Sequence, residues 1–164
     1  MSANGSSIAL RPAEERDVSA ILGFIKELAE YEKLSHEVVA TEERILASLF
    51  GERPVAEALI AEYDGAPAGF ALFFHSFSTF LGRPGIYLED LYVTPDFRRR
   101  GIGKALLKSL AQLALERDCG RVEWAVLDWN EPAIGFYQGI GAAPLAEWQT
   151  YRLAGSALRT FAEN

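Results

Sequence analysis

Ile86-Tyr-Leu-Glu-Asp-Leu-Tyr-Val93, then Thr94-Pro-Asp-Phe97, then Arg98-Arg-Arg-Gly-Ile-Gly-Lys104-Ala-Leu-Leu107: this stretch decides the fold. Tyr87, Glu89, Leu91 and Val93 alternate with Ile86, Leu88, Asp90 and Tyr92, so both faces are mostly apolar. Such a strand belongs in the middle of a sheet. Pro95 ends it by removing a ladder donor. Gly101 and Gly103 let the backbone turn and approach a ligand closely. The amides that follow have no partner inside the next helix, and the helix dipole leaves partial positive charge there. With Arg98, Arg99 and Arg100 just upstream, the unit suits a phosphate chain. A Gly-x-Gly alone more often just closes a turn, and arginine-rich loops are often merely solvated. The complete strand–Arg-x-x-Gly-x-Gly–helix unit is what favours phosphate. Two familiar phosphate loops fit badly. Lys104 is followed by Ala105 rather than Ser or Thr, and Leu106 stands where a dinucleotide fingerprint needs its third Gly.

Downstream, Ile102, Ala105, Leu106, Leu110, Leu113 and Ala114 form a helical stripe. Arg121 to Leu127 reads as a strand with Val122, Trp124 and Val126 on one face. Asn130 can cap a helix with Pro132 in its first turn, running to about Ile140 and ended by Gly141. Trp148 to Leu153 reads as a last strand. Upstream, Leu59 to Tyr63 and Gly69 to Phe77 form a hairpin about Asp64-Gly65, with Phe70, Phe73, Phe74 and Phe77 expected in the core. The loop from Ser78 to Gly85 could border a substrate pocket. Ile8 to Leu10 is a short strand. Asp17 is the expected N-cap of a helix carrying Val18, Ile21, Leu22, Ile25, Leu28 and Ala29, as far as about Tyr31. Thr41 caps a second helix with Ile45, Leu46 and Leu49 on its buried face, and Gly51 to Pro54 breaks that pattern. With no repeats or linkers, the reading is a flexible lead-in over residues 1–7 and one α/β domain over 8–164. A hairpin followed by strand–helix–strand crossovers makes its sheet mixed, with helices on both faces.

The chain has 164 residues, 49% hydrophobic and 24% charged, as one domain with a real core needs. No apolar run reaches ~18 residues, so no membrane span is expected, and the short polar start lacks the features of a signal peptide. Cys119 is the single cysteine; it cannot form an internal disulfide, which fits a reducing cytoplasm. A net charge of −7 argues against nucleic acid and mildly favours cationic small substrates. It also leaves the attraction of phosphates to the local arginines and amides. His36 and His75 have no ligand-like partners in sequence, and no metal is expected.

At these residues the sequence resembles the GCN5-related N-acetyltransferase (GNAT) family. Arg98, Gly101 and Gly103 meet that family's Arg/Gln-x-x-Gly-x-Gly/Ala signature. More specifically it resembles the diamine (spermidine/spermine-type) acetyltransferases, through Tyr87-Leu88-Glu89-Asp90, Gly101-Ile102-Gly103, Trp129-Asn130-Glu131-Pro132 and Phe136-Tyr137. The resemblance spans about Ile8 to Leu153. It implies an acyl-CoA N-acyltransferase fold whose central sheet splays at the cofactor site. It also implies acetyl-CoA as co-substrate, held by Arg98, Arg99, Arg100, Gly101, Ile102, Gly103 and Lys104, by Leu91, Tyr92 and Val93 through the strand, and by Asn130 and Tyr137. A small cationic amine as substrate and a homodimer are implied in the same way.

Acetyl transfer to an amine needs a free lone pair, yet an ammonium of pKa about 10.4 is neutral in only roughly 1 molecule in 2500 at pH 7. A carboxylate that binds the cation and takes its proton helps twice. Glu89, on the central strand beside the loop, is the expected residue; the alternative is a carboxylate paired with an arginine. The resemblance assigns Tyr137 as general acid toward the leaving thiolate, and places Tyr31 and Glu32 at the amine site. One departure bears on the substrate. Gln149 stands where the polyamine enzymes carry an acid, and Glu147 is on shifted spacing, so a short diamine or a lysine-like amine such as thialysine fits better than a long polycation. The alternatives are the same chemistry on an amino acid, an antibiotic or a protein N-terminus, or a non-catalytic CoA-binding regulatory module.

Overall fold

The computed structural model describes residues 7–164. Two compact units divide the chain, Met1–Ala125 and Val126–Asn164. The expected flexible lead-in falls outside the described residues except for Ser7. The Ser7 N–H donates to the Asp64 carboxylate at 2.8 Å, and the Asp64 N–H donates back to the Ser7 carbonyl at 3.0 Å.

The first unit is built on a five-stranded sheet in the order β1 (Ile8–Pro12), β2 (Glu57–Tyr63), β3 (Ala66–Ser78), β4 (Arg83–Val93), β5 (Val122–Trp124). The first four strands are antiparallel and β5 is parallel to β4, so the sheet is mixed. The β2–β3 turn is closed by Asp64 at φ 50° and Gly65 at φ 84°, the paired left-handed conformations a tight hairpin needs.

Alternation along the strands sends Ile60, Phe70 and Tyr92 to one face, where α1 (Val18–Tyr31) and α2 (Glu42–Phe50) cover them. Phe24 of α1 lies against Phe70 at 5.4 Å and Tyr92 at 6.4 Å between ring centroids. The opposite face carries the short side chains of Ala61 and Ala71, buried beneath α3 (Ile102–Glu116) with Ile102, Leu106 and Leu110. Helices therefore lie on both faces, as expected. At the end of α3, Arg117 makes two hydrogen bonds to the Glu57 carboxylate, at 2.7 and 2.9 Å, and a third to Nε2 of His75.

Thr41 caps α2 as expected, its hydroxyl accepting from the Arg44 N–H. Asp17 precedes α1, but its carboxylate does not cap that helix. It accepts two hydrogen bonds from Arg11, at 2.7 and 2.8 Å, and one from the Glu14 N–H at 2.7 Å, closing a 3-10 turn over Glu15–Asp17. Leu46 is exposed, because the narrow buried face of α2 is filled by Ile45 and Leu49. Phe77, expected in the core, is exposed near the end of β3, where the hairpin outruns the helices.

The second unit holds α4 (Glu131–Gly139) and α5 (Gly155–Glu163). The strand expected over residues 121–127 is confined to Val122–Trp124, and no strand forms over 148–153. An alternating pattern fixes which face a strand would bury, but it does not supply the neighbouring strand that pairs with it. Helix α5 was not foreseen.

Candidate active site

The site begins with a bulge. Across β3 and β4, Leu72 faces Asp90 and the next pair is Phe73 with Leu88, which leaves Glu89 unpaired. An extra residue shifts the pleat by one, so every group beyond it changes sides. The Thr94 N–H donates to the Ala68 carbonyl on β3 at 2.9 Å. Strand alternation then turns the Tyr92 amide toward β3 and the amides of Leu91 and Val93 toward the other edge. On that edge β5 pairs with β4 only from Ile86 to Leu88. The sheet thus splays beyond Leu88, and among the described residues no strand covers the edge at Leu91 and Val93. The ring of Tyr92 is buried against Phe24 of α1, and its amide is turned to β3 rather than to this edge.

The loop lies at the end of that edge. After a 3-10 turn over Pro95–Phe97, Arg99 takes φ 63° and Gly101 φ 81°. The first backbone hydrogen bond of α3 runs from Ala105 to the Gly101 carbonyl, leaving the amides of Ile102, Gly103 and Lys104 without helical partners. A Cβ built on Gly101 would meet nothing within 4 Å, and one on Gly103 would meet only Val93 Cγ2, at 3.9 Å. The space above both glycines is therefore open, and Gly103 stands directly beside the splayed edge. A slot lined by strand amides on one side and helix amides on the other suits an extended acyl chain ending in phosphates.

The three arginines have different partners. The Arg98 Nε–H donates to the Val93 carbonyl, and its guanidinium lies over the rings of Tyr31 and Tyr92. Arg100 donates to the Tyr63 hydroxyl at 2.9 Å and lies over the Tyr63 ring, with Phe97 behind it. Among the described residues, no protein group engages the Arg99 guanidinium.

At the end of α1 is a group of carboxylates, Glu32, Glu89 and Asp90, whose charges act on one another. Glu89 is exposed and Asp90 is partly buried. Burial, with the charges of Glu89 and Glu32, pushes the Asp90 carboxyl up to about 6. Burial also raises Glu32, which follows Tyr31 at the end of α1. The Tyr87 hydroxyl is raised by burial and by Glu89 and Glu123. A concentration of unneutralised negative charge next to an open slot is what a small organic cation would relieve. Among the described residues no group of three or more His, Cys, Asp or Glu is arranged to hold a metal ion.

The structure thus brings together Tyr31, Glu32, Glu89, the amides of Leu91 and Val93, and the loop from Arg98 to Lys104. It adds Asp90, which strict alternation had treated as one more strand residue. The adjacent pair Glu89-Asp90 in an apolar strand was the available signal, since two neighbouring carboxylates there imply a bulge or a polar cavity. Asn130 and Tyr137 lie in the second unit. The Asn130 side chain accepts from the Ala133 N–H at 3.4 Å as the cap of α4, and Tyr137 is two turns along, its ring 5.8 Å from that of Phe136. Gly141, at φ 93°, follows the end of that helix as expected.

Residues 22–142 match the model of the acetyltransferase (GNAT) family. The chain is 43% identical over 166 residues to a thialysine N-epsilon-acetyltransferase of Bos taurus, covering 94% of this chain and 97% of the other. It is 32% identical to an L-ornithine N5-acetyltransferase of Arabidopsis thaliana, covering 92% and 86%. Among solved structures, an integron cassette protein from the mobile metagenome of V. cholerae superposes with a TM-score of 0.81 at 27% identity, over 98% of this chain and 100% of that one.

Proposed function

The chain belongs to the GNAT acetyltransferase family and is an N-acetyltransferase, and from that premise we propose that it moves the acetyl group of acetyl-CoA directly to the side-chain amine of a small diamino acid within a ternary complex. The observation that carries this reading is the juxtaposition of the Glu32–Glu89–Asp90 carboxylates with the splayed edge of β4. Relatives named for thialysine and ornithine support a short diamino acid over a long polyamine, as does Gln149 in place of an acid.

Each part of the site has a task on this reading. The amides of Ile102 to Lys104 and the Arg99 guanidinium hold the phosphates, and the open space over Gly101 lets them approach. Acetyl-CoA supplies a thioester, an acyl group already activated toward amines. The outward amides of Leu91 and Val93 hold its chain and carbonyl and stabilise the negative charge that builds on that oxygen. Glu32 and Glu89 attract the substrate cation. Asp90, raised to about 6, is a better proton acceptor than an ordinary aspartate while still ionised at pH 7. Glu89 acts beside it, by direct contact or through water. Tyr137 protonates the departing sulfur and Asn130 contacts the cofactor. On the same reading the protein works as a cytoplasmic homodimer, which light scattering of the purified protein tests.

The deciding experiment is thiol release from acetyl-CoA with thialysine, ornithine, lysine, putrescine, spermidine, spermine and simple monoamines. Turnover concentrated on the diamino acids supports the proposal. Turnover confined to spermidine and spermine would overturn the substrate assignment. Tight acetyl-CoA binding without turnover on any amine would favour a regulatory module.

A further inference from the structure

The first arginine of the loop is engaged by the protein's own groups. Arg98 opens the Arg-x-x-Gly-x-Gly segment, yet its Nε–H donates to the Val93 carbonyl at 3.0 Å. Its guanidinium carbon lies 5.5 Å from the Tyr31 ring centroid and 5.6 Å from that of Tyr92. The Tyr92 hydroxyl interacts both with Arg98 and with Glu27 of α1. A planar cation therefore fills the gap between the last turn of α1 and the end of β4. Tyr31 is the last residue of that helix, and Glu32, the next residue, is one of the carboxylates acting on Asp90.

We propose that Arg98 is a positioning residue for the amine site: it fixes the end of α1 against β4 and so sets where Tyr31 and Glu32 stand, while phosphate contact falls to Arg99 and the loop amides. This inference rests on the reading of the site as that of an amine acetyltransferase. It gives one loop two faces, one turned to the cofactor and one supporting the substrate side. Lysine cannot replace Arg98, because an ammonium has no plane to lie against two rings and no fork that leaves one N–H for a carbonyl.

The test compares Arg98→Lys with Arg99→Gln in the full chain. Three quantities are measured: CoA affinity by calorimetry, KM and kcat for the best amine of the panel, and hydrogen exchange of amides 31–34 in the free protein. Arg98→Lys should raise the amine KM about tenfold, leave CoA affinity within about twofold and speed exchange at 31–34. Arg99→Gln should do the reverse, weakening CoA about tenfold with the amine KM unchanged. Tyr31→Leu should add less to the amine KM in the Arg98→Lys background than in the parent, because both changes remove one contact. A tenfold loss of CoA affinity in Arg98→Lys with an unchanged amine KM, or unchanged exchange at 31–34, overturns the proposal. If no amine turns over, the enzyme reading fails, and calorimetry with hydrogen exchange still decides whether Arg98 supports α1 or holds phosphate.

Discussion

Asp90 lies opposite Leu72 on β3, one residue past a bulge that leaves Glu89 without a cross-strand partner. The bulge changes what two neighbouring carboxylates can do. Glu89 stays in solvent, while Asp90 turns toward the α1 face, where burial and two other acids oppose its ionisation.

Asp90→Asn should therefore lower kcat/KM by about 10²–10⁴-fold, the usual contribution of a positioned base. In the parent enzyme kcat/KM should break near pH 6, falling as Asp90 takes up a proton; in the variant that break should vanish. The stability effect has the opposite sign. The folded carboxyl binds its proton more tightly than the unfolded one, so stability declines as pH rises from about 4 to 6. The amide removes that penalty, and the variant should be more stable at pH 7 by on the order of 1–2 kcal/mol in urea titration. A variant both fully active and less stable would remove Asp90 from the base role.

Arg11 joins β1 to the start of α1 and to β2, through Asp17 and through Glu62 at 2.7 Å. Asp17 is buried, and the Arg11 side chain holds its carboxyl below the usual range. Arg11→Met should destabilise by about 2–4 kcal/mol, because it strands a buried charge. A lowered carboxyl contributes stability above its unfolded pKa and loses it as pH falls through the folded value. The parent should accordingly lose stability on acidification in a way that Arg11→Met does not. Parallel loss in both proteins, followed by denaturant melts from pH 7 to 3, would show that the pair does not anchor α1.

What the sequence made legible follows from periodicity. The hairpin about Asp64-Gly65, the stripe from Ile102 to Ala114 and the Thr41 cap depend on local spacing alone, and each is found where expected. The misses need neighbours to be seen. Asp17 looks like a cap until Arg11 and Glu14 are brought to it by β1 and the turn. Residues 148–153 have a strand's alternation without a strand beside them. The bulge at Glu89 is invisible to alternation, because it is where alternation fails; with it went Asp90 and the reason the amides of Leu91 and Val93 point outward.

Gly69 shows how tightly that region is set. A Cβ there would stand 2.3 Å from the Tyr92 carbonyl oxygen and 3.1 Å from Val93 Cα, both backbone atoms. Gly69→Ala must push the end of β4 away from β3 and displace the amides that serve the slot. The expected result is a loss of about 2 kcal/mol or more in stability, with weakened acetyl-CoA binding in whatever folds. Unchanged calorimetric affinity would mean that the slot does not depend on the position of β4.

Tyr137→Phe removes one oxygen from α4 and nothing from its packing against Phe136. If the hydroxyl protonates the leaving sulfur, kcat should fall by about 10²-fold or more with the KM for acetyl-CoA little changed. A thioester analogue with a more acidic thiol should recover part of the loss, since a better leaving group needs less help. An unchanged kcat would reassign Tyr137 to a structural role.

Gly101 allows the loop itself to be tested apart from its fold. Its φ of 81° is strained for any side chain, yet a Cβ there meets no neighbour. Gly101→Ala should therefore cost only about 1–2 kcal/mol of backbone strain, with modest change in acetyl-CoA affinity. Gly101→Asp carries a similar strain and adds a negative charge beside the amides of Ile102 to Lys104. If those amides hold phosphates, the aspartate should weaken acetyl-CoA binding at least tenfold beyond the alanine, and the gap should narrow as salt screens the repulsion. Matching melting temperatures for the two variants would confirm that the comparison isolates charge. Equal affinities for acetyl-CoA would then place the phosphates somewhere other than this loop.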